Sequence, residues 1–188
     1  MAARSREAIL DATRELLGEV GFAKLSIEGV AKRAGVGRPT IYRWWPDKSH
    51  LVFDAVADLA DALDEELDLD FESSLRWFVG RVVQHLGAPG TIESHPALFA
   101  DEAAFRRMHE SSVQPSQAHF QRMVERGIAA GEVRPDVDAD LLFDLVVGGL
   151  VQRTTRRLLL GEGDEPTVVE RVVDLVLPAT SPARPPAG

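Results

Sequence analysis

The chain has no cysteine in its 188 residues, which excludes disulfide staples, thiolate zinc centres and cysteine nucleophiles together. Aromatic residues are scarce at 6%, and tyrosine occurs once, as Tyr42. No apolar run approaches the ~20 residues that a membrane-spanning helix needs. Met1 to Arg6 is basic but leads into Glu7 and Asp11 instead of the apolar stretch of a secretory signal. No HExxH motif occurs, and none of the five histidines (His50, His85, His95, His109 and His119) has a glutamate three residues before it, the spacing of di-iron bundles. Gly161-x-Gly163 lacks a preceding strand, and there is no Walker-type loop or GxSxG elbow. These absences predict a soluble, cytoplasmic protein with no metal, no cofactor, no membrane partner and no catalytic centre.

What is present suffices for a folded core: 45% of residues are hydrophobic and 27% charged. The formal net charge of -9 argues against a nucleic-acid partner only while it is averaged over the chain. Residues 1–50 hold nine Lys and Arg against six Asp and Glu, a balance of +3, so the remainder carries −12. A small basic head precedes an acidic body.

Apolar spacing is helical nearly throughout. Ile9, Ala12, Leu16, Leu17 and Val20 define a first helix closed by Gly21. Ser26 caps a short second helix that buries Ile27, Val30, Ala31 and Ala34 and stops at Gly35. Arg38-Pro39-Thr40 opens a third, where proline's missing N–H costs nothing, and Pro46 ends it. Asp47 caps a longer fourth helix with a stripe of Leu51, Val52, Ala55, Val56, Leu59, Ala62 and Leu63; Asp54, Asp58, Asp61 and Asp64 fall off that stripe, as a solvated face. Further helices are expected over about 71–87, in short pieces from His95 to Arg107, and from about Pro115 to Ala130. Asp138 then caps a long helix to about Leu160, and Pro166 starts a last one to about Leu177. The tail from Pro178, with Pro182, Pro185 and Pro186, is too proline-rich to fold. No strand or internal repeat is evident.

Residues 26–45 have the layout of a helix-turn-helix: a short helix ending in glycine, a tight turn plugged by Val36, and a second helix with a polar, basic start. Ile41 and Trp45, four apart, hold that second helix to the core, which leaves Thr40, Arg43 and Trp44 on its other side. A helix held this way can place its first residues in a major groove. A helix–glycine–helix pair also occurs in bundles that never touch DNA, and Lys32 and Arg33 on the second helix read as solvated. The same pattern is therefore open to a second reading, a helical ligand-binding or protein-docking bundle without DNA binding. A metal-dependent helical enzyme is a third class, requiring bound metal.

Ser26-Ile27, Val30-Ala31, Ala34-Gly35-Val36, Thr40-Ile41-Tyr42, Trp44-Trp45 and Asp47-Lys48, at fixed offsets, resemble the TetR family of bacterial transcriptional regulators. Ala8 to Ala12 and Gly21-Phe22 resemble its first helix and exit, so the strong likeness spans about residues 5–56. Gly131 to Asp136 is of a type common there. The chain departs from the pattern at Gly37, where the family often has a capping serine, and Pro39 stiffens the start of the recognition helix.

The resemblance implies an all-α protein of about nine helices: a three-helix DNA-binding domain over 1–50, a helical effector-binding and dimerisation domain over 51–178, and a disordered tail over 179–188. It implies a homodimeric repressor that reads a near-palindromic double-stranded operator and is released by a small hydrophobic or amphipathic effector. Tyr42, Lys48, Ser26 and Trp44 suit phosphate oxygens. Arg38 and Arg43 can fork onto guanine, and Pro39 or Thr40 can touch a thymine methyl. The effector is expected among Trp77, Phe78, Arg81, His85, Phe105, Met108, Phe120 and Met123, which mix apolar lining with occasional polar groups. Dimerisation is expected at Gly148 and Gly149, which allow close backbone approach, and at Val168, Val169, Val172, Val173 and Val176. The alternative is that this valine face covers the protomer's own core.

Overall fold

A computed structural model describes residues 2–56, 69–162 and 167–182. Among them the helices are α1 (Ala2–Lys24), α2 (Ile27–Ala34), α3 (Arg38–Tyr42), α4 (Lys48–Val56), α5 (Phe71–Gly87), α6 (Thr91–Ala100), α7 (Glu102–Met108), α8 (Gln114–Ala129), α9 (Ala139–Leu160) and α10 (Val168–Thr180), with a π-helical turn at His109–Val113 between α7 and α8. There is no strand among the described residues, and no described helix is long and apolar enough to cross a membrane. Leu59, Ala62, Leu63, Asp58, Asp61 and Asp64, expected on the fourth helix, lie outside the described residues.

Helix ends follow local chemistry. Gly21, at φ 73° and ψ 169°, breaks α1 before its last three residues. The Ser26 Oγ accepts from Gly29 N at 3.1 Å, and Gly35 closes α2 at φ 66°, its N–H turned back to the last carbonyls. The Asp47 Oδ1 accepts from His50 N at 3.0 Å. Asp138 caps α9 through Leu141 N at 2.9 Å.

The chain divides into two compact units. The first comprises residues 1–58 and 87–112. Ile9, Leu17, Val30, Ile41, Leu51 and Val52 form its centre, and Phe53 packs with Leu98, Ala104 and Met108 to join α4 to α6 and α7. Helix α6 runs through Pro96 without ending, and the short pieces expected from His95 to Arg107 are two short helices meeting at Asp101, which caps α7 through Ala103 and Ala104 N–H. Half-buried His95 sits edge-on to Phe99, their ring centres 5.6 Å apart. Burial holds its imidazole below its ordinary pKa, although Glu93 pulls the other way. The unfolded chain therefore binds more protons than the folded one as pH falls through ~6.5, and folding loses stability toward acid. We expect thermal melts to fall between pH 7 and 5 and to do so less steeply in His95→Gln; equal slopes in the two proteins would refute this.

The second unit holds residues 59–86 and 113–188. Phe78, Phe120 and Phe143 form an aromatic core with ring centres 5.0 to 6.3 Å apart. On α9 the buried stripe is Phe143, Val146, Leu150 and Thr154, leaving Leu141 and Leu145 56% and 66% exposed. Helix α10 does not stop at Pro178. It runs to Thr180, which is buried, with Arg134 N donating to Thr180 O at 2.8 Å and Arg134 Nε to Ala179 O at 3.0 Å. Proline composition forecast a frayed end because Pro178 cannot donate to the helix, but a second segment supplies the missing anchorage.

Candidate DNA-binding surface

Helix α3 is pinned from inside. Ile41 is fully buried and Trp45 is 3% exposed, and the Trp45 indole Nε1 donates to Asp54 Oδ2 at 2.8 Å. Arg6 Nη2 reaches the same oxygen at 2.8 Å, and its guanidinium lies 5.5 Å from the Trp45 ring centre. Asp54, expected on a solvated face, is instead half-buried and ties α1 to Trp45, just after α3. The sequence held no local signal for this contact, since Arg6 is 48 residues away.

Outside, Arg38, Pro39, Tyr42, Arg43 and Trp44 are all exposed, and Thr40 is half-buried. Gly37 begins α3 with no side-chain cap, leaving that helix N-terminus free of internal competition. The Arg43 guanidinium stacks 5.7 Å from the Trp44 ring centre, which keeps a long cation extended. Ser26 is exposed, although its hydroxyl is engaged in capping. Lys48 lies 4.3 Å above the Phe22 ring centre and donates one proton to Phe22 O at 2.9 Å, so the ammonium is positioned with two donors remaining. Arg33, read as solvated, is exposed but paired with Glu15 at 2.9 Å and Glu19 at 2.8 Å, and the hydrogen bonds it donates to Glu19 first and then to Glu15 raise its pKa.

Helical periodicity gives one buried histidine no role. His50 is 6% exposed, with Nδ1 2.8 Å from Asp47 Oδ1 and Nε2 3.6 Å from Asp101 Oδ2. Burial pushes the Asp47 carboxyl up, but hydrogen bonds from the His50 ring and backbone outweigh it and hold the group below its usual range. The Asp101 carboxyl is likewise lowered, by the capped N–H of Ala104 first. The clue was the spacing of Asp47 and His50, a cap and its third residue.

The residues named for an effector fall in two places. Phe105 and Met108 belong to the first unit; Phe105 is 41% exposed beside Phe99 and His109, while Met108 is buried with Phe53. Trp77, Phe78, Arg81, His85, Phe120 and Met123 belong to the second. There Phe78, Phe120 and Met123 are buried, and His119 packs against Trp77 at 5.6 Å and Phe78 at 6.2 Å. Of the residues named for dimerisation, Val168, Val173 and Val176 are buried inside the protomer, Val169 and Val172 are half-buried, and Gly148 and Gly149 are exposed.

Comparison with known proteins matches both segments. Residues 9–55 fit the model of bacterial regulatory proteins of the tetR family, and residues 68–176 fit that of the tetracyclin repressor-like C-terminal domain. The HTH-type transcriptional regulator YdeS of Bacillus subtilis is 29% identical over 86% of this chain and 81% of its own length. The DNA-binding transcriptional repressor TetR of Mycobacteroides abscessus is 29% identical over 90% of each. Among solved structures, the regulator FadR from Bacillus subtilis in complex with stearoyl-CoA shares the fold with a TM-score of 0.66 at 17% identity, covering 91% of this chain and 97% of that one.

Proposed function

Since this chain belongs to the TetR family of bacterial transcriptional regulators, we propose that α3 enters the major groove as its recognition helix. One observation carries the reading: five exposed residues, Arg38, Pro39 and Tyr42 on α3 with Arg43 and Trp44 in the turn that follows it, stand outside a segment whose inner side is locked by Ile41 and Trp45. Arg38 and Arg43 take the base-reading role; Tyr42, Trp44, Lys48 and the α2 N-terminus at Ser26 hold phosphates. A homodimer would set two such helices one turn apart on a near-palindromic operator. The exposed leucines of α9 and Leu175 of α10, 75% exposed, with Gly148 and Gly149 between turns of bare surface, support the 51–178 region as the dimer-forming part.

A gel-shift titration on the DNA upstream of the gene tests these roles. Lys48→Ala is expected to weaken binding to every sequence about tenfold and Tyr42→Phe by less, as loss of charged and neutral hydrogen bonds does. Arg43→Ala is expected to cost about 1–3 kcal/mol and to relax discrimination at one base pair. Wild-type affinity for both Lys48→Ala and Tyr42→Phe at moderate salt would remove the phosphate assignments.

Release would be linkage: an effector that binds better to a conformer with mismatched half-site spacing lowers DNA affinity by the same factor that DNA lowers its own. A small hydrophobic or amphipathic molecule is supported by the mix around Phe78, Phe120, Met123, Trp77, Arg81 and His85, and by the acyl-CoA carried by FadR.

A further inference from the structure

Within the first compact unit, a cleft of about 210 Å³ lies among the start of α1, the Trp44–Trp45 turn, α4 and α7. Its lining joins apolar Phe53 and Ala104, both buried, to the half-exposed indole of Trp44 and to three polar groups, Arg6, His50 and Arg107. Asp54 and Trp45 complete it.

His50 is the key. Its Nδ1 faces the Asp47 carboxylate, which can only accept, so the neutral form of the ring keeps its proton on Nδ1 and leaves Nε2 as a bare acceptor. That nitrogen is buried and has no hydrogen-bond partner among the described residues. Asp101 Oδ2, at 3.6 Å, is too far for a hydrogen bond and, as a carboxylate, has no proton to give. An unmet buried acceptor is costly, and a hydroxyl entering the cleft would satisfy it.

The cations divide. Arg6 is neutralised by Asp54 at 2.8 Å, and that oxygen also receives the Trp45 indole proton. Arg107 is exposed and reaches Asp101 only as a nearby charge, leaving its fork available to a carboxylate. The volume is below the ~300 Å³ at which drug-sized sites begin, and the walls include the flat rings of Trp44, Trp45 and Phe53. We propose that this cleft binds a single-ring hydroxylated aromatic acid, the carboxylate on Arg107 and the hydroxyl on His50 Nε2. A ligand here would touch both α7 and Trp44 at the end of the recognition helix. Its effect on DNA rests on the reading of α3 above; its binding does not.

The chain has three tryptophans, Trp44, Trp45 and Trp77, and the third belongs to the other unit, so it is an internal control. Indole N–H resonances of the full-length, DNA-free protein would be followed by heteronuclear NMR during titration with 4-hydroxybenzoate. Saturable movement of Trp44 and Trp45 is expected, with Trp77 still. Arg107→Ala, on an exposed residue that leaves folding intact, should weaken binding about tenfold by removing a charge-assisted pair. Benzoate, lacking the hydroxyl, should also bind more weakly, which tests His50 without mutating a buried group. The proposal fails if no shift saturates, if Trp77 moves with the others, if Arg107→Ala binds as wild type, or if benzoate equals 4-hydroxybenzoate. A protein that binds the acid yet ignores operator DNA would overturn the function above and leave this site standing.

Discussion

Gly90→Ala is expected to remove about 2–5 kcal/mol of folding stability, measured by guanidinium unfolding, with no contact to DNA involved. Two costs add. Gly90 lies at φ +88°, a region side-chain-bearing residues rarely adopt. A Cβ there would also stand 2.6 Å from Val52 Cγ1 and 3.1 Å from Leu17 Cδ2, inside the core that joins α1 to α4. Both neighbours are themselves buried, so neither can swing aside without opening a gap elsewhere. Gly131→Ala separates the terms: it has φ +74° but nothing within 4 Å of the added carbon, so only the backbone cost of about 1–2 kcal/mol remains. Equal losses in the two variants would show that the crowding at Gly90 is relieved at no cost.

Trp45→Ala carries the other large effect, and it reaches function. Truncating a buried tryptophan costs about 3–5 kcal/mol. Here it also leaves Asp54 without its indole donor and Arg6 without the ring it covers. The anchor at the C-terminal side of α3 goes with it. Urea unfolding should show the stability loss, and gel shifts at concentrations where the variant remains folded should show weakened operator binding. Trp44→Ala provides the contrast. Trp44 is 42% exposed, so its loss should barely move the unfolding midpoint while still weakening DNA binding. If Trp45→Ala folds as well as Trp44→Ala, the inner and outer sides of the segment that follows α3 have been exchanged.

These contrasts mark what was legible beforehand. The helix-turn-helix could be read because its punctuation is local: Ser26 caps, Gly35 reverses the chain, Pro39 opens α3 and the Ile41–Trp45 pair faces inward, each within a few residues of its effect. Asp54 was misjudged because periodicity assigns a face without showing what lies opposite, and the groups opposite were Arg6 and Trp45. Helix α10 outlasted Pro178 because of Arg134, more than forty residues upstream in sequence. The eight residues named for an effector show the same limit: composition could select apolar and aromatic side chains at helical spacing but could not say that Phe105 and Met108 fold with α4 and α6. The lining of the His50 cleft escaped for that reason too, being gathered from α1, α4 and α7.

The ion pairs of the basic head bear on how salt should act. Of its nine cations, Arg6, Arg14 and Arg33 are already matched to carboxylates of the same chain, so they displace no condensed counterions when the protein meets a duplex. Each phosphate contact contributes about 0.9 to the slope of log affinity against log salt. The ceiling per protomer is therefore set by the six remaining basic side chains, and a raw count of Lys and Arg overstates the electrolyte sensitivity by half. What Arg6 gives up in long-range attraction it returns by holding Asp54 beside Trp45, at the exit of α3.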